Sequence, residues 1–262
     1  MTKAQAFLPG REPKASMVLA RFLPPVNYGA VSAWLGEHAR PGDWVLDPFG
    51  AAPQLAIEAA QAGYRVGLAA NNPIARFILD MLANPPSRED LQAVVADLAA
   101  LKRGEERLEP HILNLYLTTC PSCGERVSAE AFVWARDAPV PQAKRVNCEA
   151  CGHSGESETN AEDQERAAAY RGGGPNRARA LERIAPRGTP DREHAEEALE
   201  AYLPRAVYAL FTILNRMDRM DLDSGRQRSL TALLLHALDR GNSLWAHPSG
   251  RARPKRLSAP PY

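Results

Sequence analysis

Apolar residues along the chain recur with the periods of short strands and amphipathic helices. The clearest unit begins with an apolar run from Trp44 to Leu46, followed by a tight turn and a helical pattern that starts at Pro53. Proline suits the first position of a helix, and Gly63 can end the helix in a left-handed conformation. A second strand is predicted over residues 64–70. Strand, turn, helix and strand within about thirty residues predict a βαβ unit, with a parallel sheet and a ligand crevice at the strand ends.

Helical periodicity continues on both sides of this unit. Residues 27–38 predict a helix with Asn27 as its N-cap. A second helical pattern follows Pro73, and Ser87 begins a third, in which Asp90 takes the place of the acid in a capping box. The apolar stripes of these helices are typical of core-facing surfaces rather than of cofactor sites.

The second half of the chain is more polar before it becomes helical again. Residues 159–190 contain a triple glycine that follows no strand, which predicts a mobile loop rather than a phosphate cradle. Its arginines either contact phosphate or form a solvated surface. A long helix is predicted from Asp191, kinked or restarted near Pro204. Gly225 predicts a break, and a last helix ends before Gly241.

Two cysteine pairs lie between a strand predicted over residues 111–119 and the polar segment. Each pair has the spacing C-x₂-C and is followed by glycine, and 24 residues separate the pairs. Repeated C-x₂-C spacing is typical of a zinc site, with unligated thiols as the alternative. His153 is not needed as a ligand. We therefore predict a closed, structural zinc site whose ligands are Cys120, Cys123, Cys148 and Cys151.

Composition limits the class of protein. The chain has 262 residues, of which 45% are hydrophobic and 24% charged, as in a soluble protein with a substantial core. It contains no run of eighteen apolar residues and begins without the apolar segment of a signal peptide, so we expect no membrane contact and a cytoplasmic location. The formal net charge of +1 gives no global attraction to nucleic acid, so DNA contacts would need local clusters.

Three short motifs carry a resemblance to a known family. Residues 47–53, DPFGAAP, resemble the DPFxGxG cofactor motif of amino-group DNA methyltransferases, and Asn72-Pro73 resembles their NP element. Residues 258–262, SAPPY, resemble their catalytic (D/N/S)PPY motif, and the cysteine segment is similar to the zinc ribbon of some DNA methylases. The resemblance implies an α/β fold: a partial Rossmann-like class I methyltransferase core with an inserted zinc ribbon and a helical segment.

The same resemblance implies a reaction and its residues. A methyl group would pass from S-adenosylmethionine to the exocyclic amine of adenine or cytosine in DNA, on a base flipped from the duplex. By this resemblance the cofactor-binding residues are Asp47, Phe49, Gly50, Ala51, Asn71 and Asn72. The catalytic candidates are Ser258, Pro260, Pro261 and Tyr262, with Tyr262 stacking on the base. A proline-rich tail is the alternative interpretation of the last motif.

Several positions depart from the family pattern. The two glycines of the motif fall on Ala51 and Pro53, and the ribose-binding acid falls on Ala70 or Asn71, so we expect weak cofactor binding. Ala259 stands where the catalytic motif has an acceptor. Because the strands that complete the family's sheet would follow this motif, we expect a second chain to supply them or the chain to be a truncated or degenerate methylase. In either case we expect the chain alone to methylate DNA very slowly or not at all.

Two functions from different classes remain open at this point. One is a DNA amino-methyltransferase or its N-terminal portion, and the other is a non-catalytic, zinc-ribbon nucleic-acid-binding protein on a methyltransferase-like scaffold. A nicotinamide dehydrogenase is less favoured because the G-x-G-x-x-G spacing is absent. The expected organisation is a methyltransferase-like part (residues 1–110), a zinc ribbon (111–158), a flexible basic linker (159–190), a helical segment (191–248) and a basic tail (249–262).

Overall fold

The computed structural model describes residues 10–12, 19, 22–135, 138–170 and 174–243. Over these residues the fold is mixed α/β, with ten helices and three small sheets. The helices are α1 (Ala30–His38), α2 (Pro53–Gln61), α3 (Pro73–Ala83), α4 (Arg88–Ala100), α5 (Leu108–Asn114), α6 (Ala161–Ala168), α7 (Gly174–Ile184), α8 (Arg192–Glu200), α9 (Pro204–Met217) and α10 (Ser224–Arg240). The strands are β1 (Trp44–Asp47), β2 (Arg65–Leu68), β3 (Lys102–Arg103), β4 (Glu106–Arg107), β5 (Leu117–Thr119), β6 (Arg126–Val133), β7 (Ala143–Asn147) and β8 (Ser154–Glu158).

The chain divides into two compact units. The first combines the described residues up to Ala93 with Leu222–Asp239, and the second combines Val94–Asp221 with the described residues from Arg240. None of the described helices is both long enough and apolar enough to cross a membrane.

The first unit contains the predicted βαβ unit. Strands β1 and β2 pair in parallel, with Trp44 opposite Arg65 and Asp47 opposite Leu68. Helix α2 connects them, beginning at Pro53 as predicted. Apolar side chains of α1, α2 and both strands bury a small core whose innermost members are Leu35, Ala59 and Tyr64. One face of the parallel pair is therefore covered by helices.

Helix α1 begins later than the sequence predicts. Asn27 was expected to cap it, but the N-cap is Gly29, at φ 93°, which offers no side-chain acceptor. The chain is still extended at Tyr28, whose backbone pairs with Arg11, so the helix cannot start before this bridge ends. Glu58 of α2 replaces the missing cap, since its Oε1 accepts a hydrogen bond of 2.8 Å from the backbone N–H of Ser32. A carboxylate at a helix N-terminus also interacts favourably with the helix dipole.

Helices α3 and α4 begin close to the positions that the sequence predicts, at Pro73 and directly after Ser87. Asn72 accepts a hydrogen bond from the N–H of Ile74 at 2.9 Å, and Ser87 accepts one from the N–H of Asp90 at 3.0 Å. Helix α3 buries Ala75 and Ile78. These side-chain acceptors satisfy N–H groups that a helix leaves without an internal partner.

The second unit is built on a four-stranded antiparallel sheet in the order β5-β6-β7-β8. The strand predicted over residues 111–119 is confirmed only at β5, because the residues before it form α5. Pro110 lies in the first turn of α5, where its missing N–H removes no intrahelical hydrogen bond, so it does not prevent the helix. Among the described residues of 159–190, α6 and α7 stand where the sequence predicts a loop; the triple glycine at 172–174 lies largely outside the described residues.

Three helices pack together beside this sheet within the second unit. Their shared core consists of Ala180 and Leu181 of α7, Leu199 of α8 and Val207 of α9. The restart near Pro204 is confirmed, since α8 ends at Glu200 and α9 begins at Pro204. Gly225 was expected to break the helix, but it lies within one. It lies in the first turn of α10, where Asp223 accepts its N–H at 2.8 Å.

Candidate functional site

Four cysteines converge at one end of the antiparallel sheet. The sulfur atoms of Cys120, Cys123, Cys148 and Cys151 all lie within 4.8 Å of one another. The sulfurs of Cys120 and Cys151 lie 3.6 Å apart, and those of Cys123 and Cys148 lie 3.7 Å apart. Two loops separated by the long β6–β7 hairpin therefore supply the two halves of one cluster, which could hold a metal such as zinc.

Each pair lies in the same kind of tight turn. The N–H of Cys120 binds the carbonyl of Glu125 at 2.8 Å, and that of Cys148 binds the carbonyl of His153 at 2.8 Å. Glycine closes both turns, with Gly124 at φ 76° and Gly152 at φ 72°, a region that residues with a side chain rarely occupy. The glycine after each pair is thus required by the backbone.

The electrostatics of the cluster suit a cation. Burial acts to raise the pKa of the Cys120 thiol, but backbone N–H groups of Cys123 and Ser122 and neighbouring thiols outweigh it, and the pKa is lowered to about 6. The N–H of Glu125 acts to lower the pKa of Cys123, but hydrogen bonds with the other cysteines raise it to about 12. A first thiolate therefore forms easily and the next does not. Four adjacent thiolates need a positive charge between them, which a tetrahedral Zn²⁺ supplies.

No fifth side chain competes for the cluster in the described part of the chain. Nδ1 of His153 lies 3.0 Å from the hydroxyl of Ser122, outside the group of four sulfurs. With four thiolates a tetrahedral zinc has no open coordination position, so such a centre is structural rather than catalytic.

A buried ion pair ties the sheet to the following helix. Nζ of Lys144 on β7 donates to Asp163 at 2.9 Å and to Thr118 at 2.7 Å. The side chains of Lys144 and Asp163 are 3% and 1% exposed. Asp163 also completes a capping box with Asn160 at the start of α6. This network holds β7 against the start of α6. Among the described residues it has no contact with the four cysteines.

The cofactor-binding candidates lie at the carboxyl edge of the β1–β2 pair. Oδ1 of Asp47 accepts hydrogen bonds from the N–H groups of Phe49 at 3.1 Å and Gly50 at 2.9 Å. Gly50 has φ 53°, and a Cβ there would approach the carbonyl oxygen of Ala69 to 2.5 Å. The turn after β1 thus rests against the residues that follow β2. Ala51 and Asn71 are exposed beside this turn, whereas Asn72 uses its side chain to cap α3.

An apolar surface adjoins this edge. Trp44 and Leu46 alternate along β1 and are 72% and 74% exposed, and Phe49 in the turn is 83% exposed. Parallel strands are normally covered on both faces. The helices cover one face of this pair, so the other is open in the described part of the chain.

The candidates for the catalytic motif lie in a part of the chain that the structure does not describe. Ser258, Pro260, Pro261 and Tyr262 lie outside the described residues, as does the basic run before them.

The sequence did not predict the role of Arg205. This residue is buried in the second unit, with its guanidinium 4.5 Å from the ring of Phe132 and 4.8 Å from that of Tyr116. Sequence reasoning also missed a pocket lined by α5, β5, β6 and α6, because no spacing along the chain relates residues from four elements.

No family model, no curated protein and no solved structure matches this chain. Its function is therefore inferred from the geometry of these sites.

Proposed function

We propose that this chain provides the cofactor-binding part of an S-adenosylmethionine-dependent DNA methyltransferase that acts on an exocyclic amino group of adenine or cytosine. The observation that carries the proposal is the polar turn at the carboxyl edge of the parallel pair, opposite the residues that follow β2. In open α/β sheets, ligands bind in the crevice outside the carboxyl ends of the strands. The Rossmann-like core and the inserted zinc ribbon are parts of the same proposal.

Asp47 is suited to the charged end of the cofactor. Its Oδ1 is held by two backbone N–H groups, while its Oδ2 has no hydrogen-bond partner among the described residues. A fixed carboxylate with a free oxygen is an acceptor for the α-ammonium group of S-adenosylmethionine. Phe49 adds an exposed aromatic ring at the same turn. We expect modest affinity, since Ala51 and Ala70 stand where a close backbone approach and a ribose-binding acid would help.

Methyl transfer needs more of the sheet than the described residues contain. In the described part of the chain β1 pairs with β2 alone, and its other edge and its Trp44–Leu46 face are uncovered. We propose that further strands, from a second chain, complete the sheet on this edge. The chain by itself would then transfer methyl groups to DNA very slowly or not at all.

A second candidate function has its own supporting observation. The four-stranded sheet with its four cysteines is complete within the described residues, whereas the parallel sheet has two strands. A non-catalytic, zinc-ribbon nucleic-acid-binding protein would need the four-stranded sheet with its cysteines and would use the parallel sheet as a scaffold. Cofactor binding separates the two candidates, since this second protein would not bind S-adenosylmethionine.

Calorimetric titration of the zinc-loaded chain with S-adenosylmethionine tests the proposal. Asp47→Asn keeps an oxygen for the two backbone N–H groups and removes the charge, so we expect it to bind at least tenfold more weakly. Asp43→Asn is the matched control, because Asp43 accepts the N–H of Arg40 at 2.9 Å at the opposite end of β1. Absence of heat with the wild-type chain at millimolar ligand, or equal losses in both variants, would reject the methyltransferase proposal.

A further inference from the structure

A pocket in the second unit shares no lining residue with either candidate site. Its volume is about 510 Å³, within the usual range of roughly 300–1,000 Å³ for small-molecule sites. Leu115 and Leu117 supply apolar walls, and the other lining residues are His111, Asn114, Arg126, Arg166 and Tyr170. A ligand for this pocket therefore needs an apolar or aromatic body and an anionic group.

The imidazole of His111 is held rigidly. Its Nδ1 lies 3.0 Å from Oε2 of Glu106, and its Nε2 lies 2.9 Å from the hydroxyl of Tyr208. Both ring nitrogens thus have partners, so what His111 offers to the pocket is the flat surface of its ring. A ring whose orientation is fixed in advance loses little conformational entropy when a planar ligand stacks on it.

Tyr170 supplies a second aromatic ring. It packs against Tyr208 at 5.2 Å between ring centroids with a tilt of 43°. Burial raises the pKa of its phenol, so the hydroxyl stays neutral at physiological pH. Its hydroxyl has no hydrogen-bond partner among the described residues, which leaves it free for a ligand.

Two arginines line the pocket, and no carboxylate is among its lining residues. Arg166 donates to the carbonyl of Leu117 at 3.1 Å and pairs with Glu162. Arg126 lies 3.9 Å from the same Glu162, and its side chain is 63% exposed. Two guanidinium groups share one carboxylate. Arg166 is fixed by its protein partners, while the loosely paired Arg126 can turn toward an anion.

We propose that this pocket binds one nucleotide of single-stranded DNA, with the base against Tyr170 and His111 and a phosphate at Arg126. The choice of nucleic acid rests on the proposed function, whereas the pocket residues are independent of the cofactor site. Base stacking on aromatic rings tolerates any sequence, and arginine follows the phosphate backbone. A base inside a duplex cannot reach such rings without leaving the stack, so single strands bind better than duplexes.

Fluorescence anisotropy with a labelled short oligothymidylate and the zinc-loaded full chain tests the proposal. Arg126→Gln should weaken binding severalfold and reduce the slope of log K against log salt by about 0.7, the value for one phosphate contact on a single strand. Tyr170→Ala should weaken binding by roughly 5- to 100-fold, as expected for one stacked base. Tyr170→Phe keeps the ring and should bind within a few-fold of the wild type, which separates stacking from loss of fold.

Arg145→Gln is the matched control. Arg145 lies on β7 of the same sheet, is 55% exposed and pairs with Glu130 at 3.2 Å, but it does not line the pocket. We expect its affinity and salt slope to equal those of the wild type. An oligonucleotide carrying 5-iodouracil should also cross-link to the peptide that contains Tyr170.

Three results would overturn this assignment. They are equal losses for Arg126→Gln and Arg145→Gln, cross-links only on other peptides, and a preference for the duplex. The S-adenosylmethionine titration reports on a different unit of the chain. A nucleotide pocket that fails while the cofactor binds, or the reverse, therefore identifies which proposal is wrong.

Discussion

Removing the metal from the four-cysteine cluster should unfold the antiparallel sheet. The perturbation is the replacement of one buried ligand, Cys148→Ser, or chelation of the wild-type chain. Cys148 is fully buried, as is Val146 two residues earlier in β7. We expect one equivalent of zinc in the wild-type chain and a strong loss of zinc from the variant.

The size of the effect follows from the small core of this sheet. Structural zinc contributes an apparent free energy of about 10–16 kcal/mol in small zinc-binding peptides. A whole domain is stable by only about 5–15 kcal/mol. Without the metal the four thiols cannot all ionise, since hydrogen bonds with the other cysteines raise the pKa of Cys123 to about 12. The sheet should therefore lose its cooperative unfolding transition rather than unfold at a slightly lower temperature.

Metal analysis and thermal unfolding followed by circular dichroism measure both quantities. His153→Ala is the control, because His153 follows the second pair but contacts Ser122 rather than the group of sulfurs. It should retain one zinc and a wild-type transition. If the wild-type chain is purified without metal and its sheet still unfolds cooperatively, or if Cys148→Ser keeps its zinc, the assignment of a structural metal centre is wrong.

Three further predictions concern stability. Lys144→Met leaves Asp163 buried without its countercharge and should lower the free energy of unfolding by about 3–5 kcal/mol, and adding Asp163→Asn should restore part of it, as measured by chemical denaturation. Gly50→Ala should cost at least about 1–2 kcal/mol in the same assay, because φ is 53° and the new Cβ would meet a carbonyl oxygen; an unchanged midpoint would contradict the geometry of the turn. Arg183 holds the pKa of the Asp218 carboxyl below its usual value through a hydrogen bond, so the stability that this pair adds is present above about pH 4 and is lost as the pH falls through the lowered pKa. Since both side chains are partly exposed, the difference between the wild type and Asp218→Asn should be no more than about 1 kcal/mol and should vanish in acid.

The sequence predicts helix ends and turns where the residues that cause them lie within the same few positions. Pro53 begins α2, Ser87 caps α4, and Gly63 takes its left-handed conformation after α2. The convergence of the two cysteine pairs could also be predicted, because the ligand spacing and the glycine after each pair are requirements of a single turn. In each case the physical cause lies within a few residues of its effect.

The sequence is less informative where tertiary contacts decide. Alanine is the only apolar residue type in helix α6, which is held by its capping box and by the buried pair of Asp163 with Lys144. The start of α1 is set by the pairing of Tyr28 with Arg11 and by a carboxylate from another helix. The pocket around His111 depends on four elements whose proximity is not encoded by any spacing.

Mapping S-adenosylmethionine onto the chain by nuclear magnetic resonance tests the proposed function most directly. Amide shifts of an isotope-labelled, zinc-loaded chain would be followed during titration with the cofactor, with an unrelated adenine nucleotide as the comparison ligand. We predict that the shifts concentrate at Asp47–Ala51 and at Asn71–Asn72, and that Asp47→Asn abolishes them while Asp43→Asn does not. Shifts that are absent, or that fall elsewhere in the chain and are reproduced by the comparison nucleotide, would contradict a methyltransferase cofactor site.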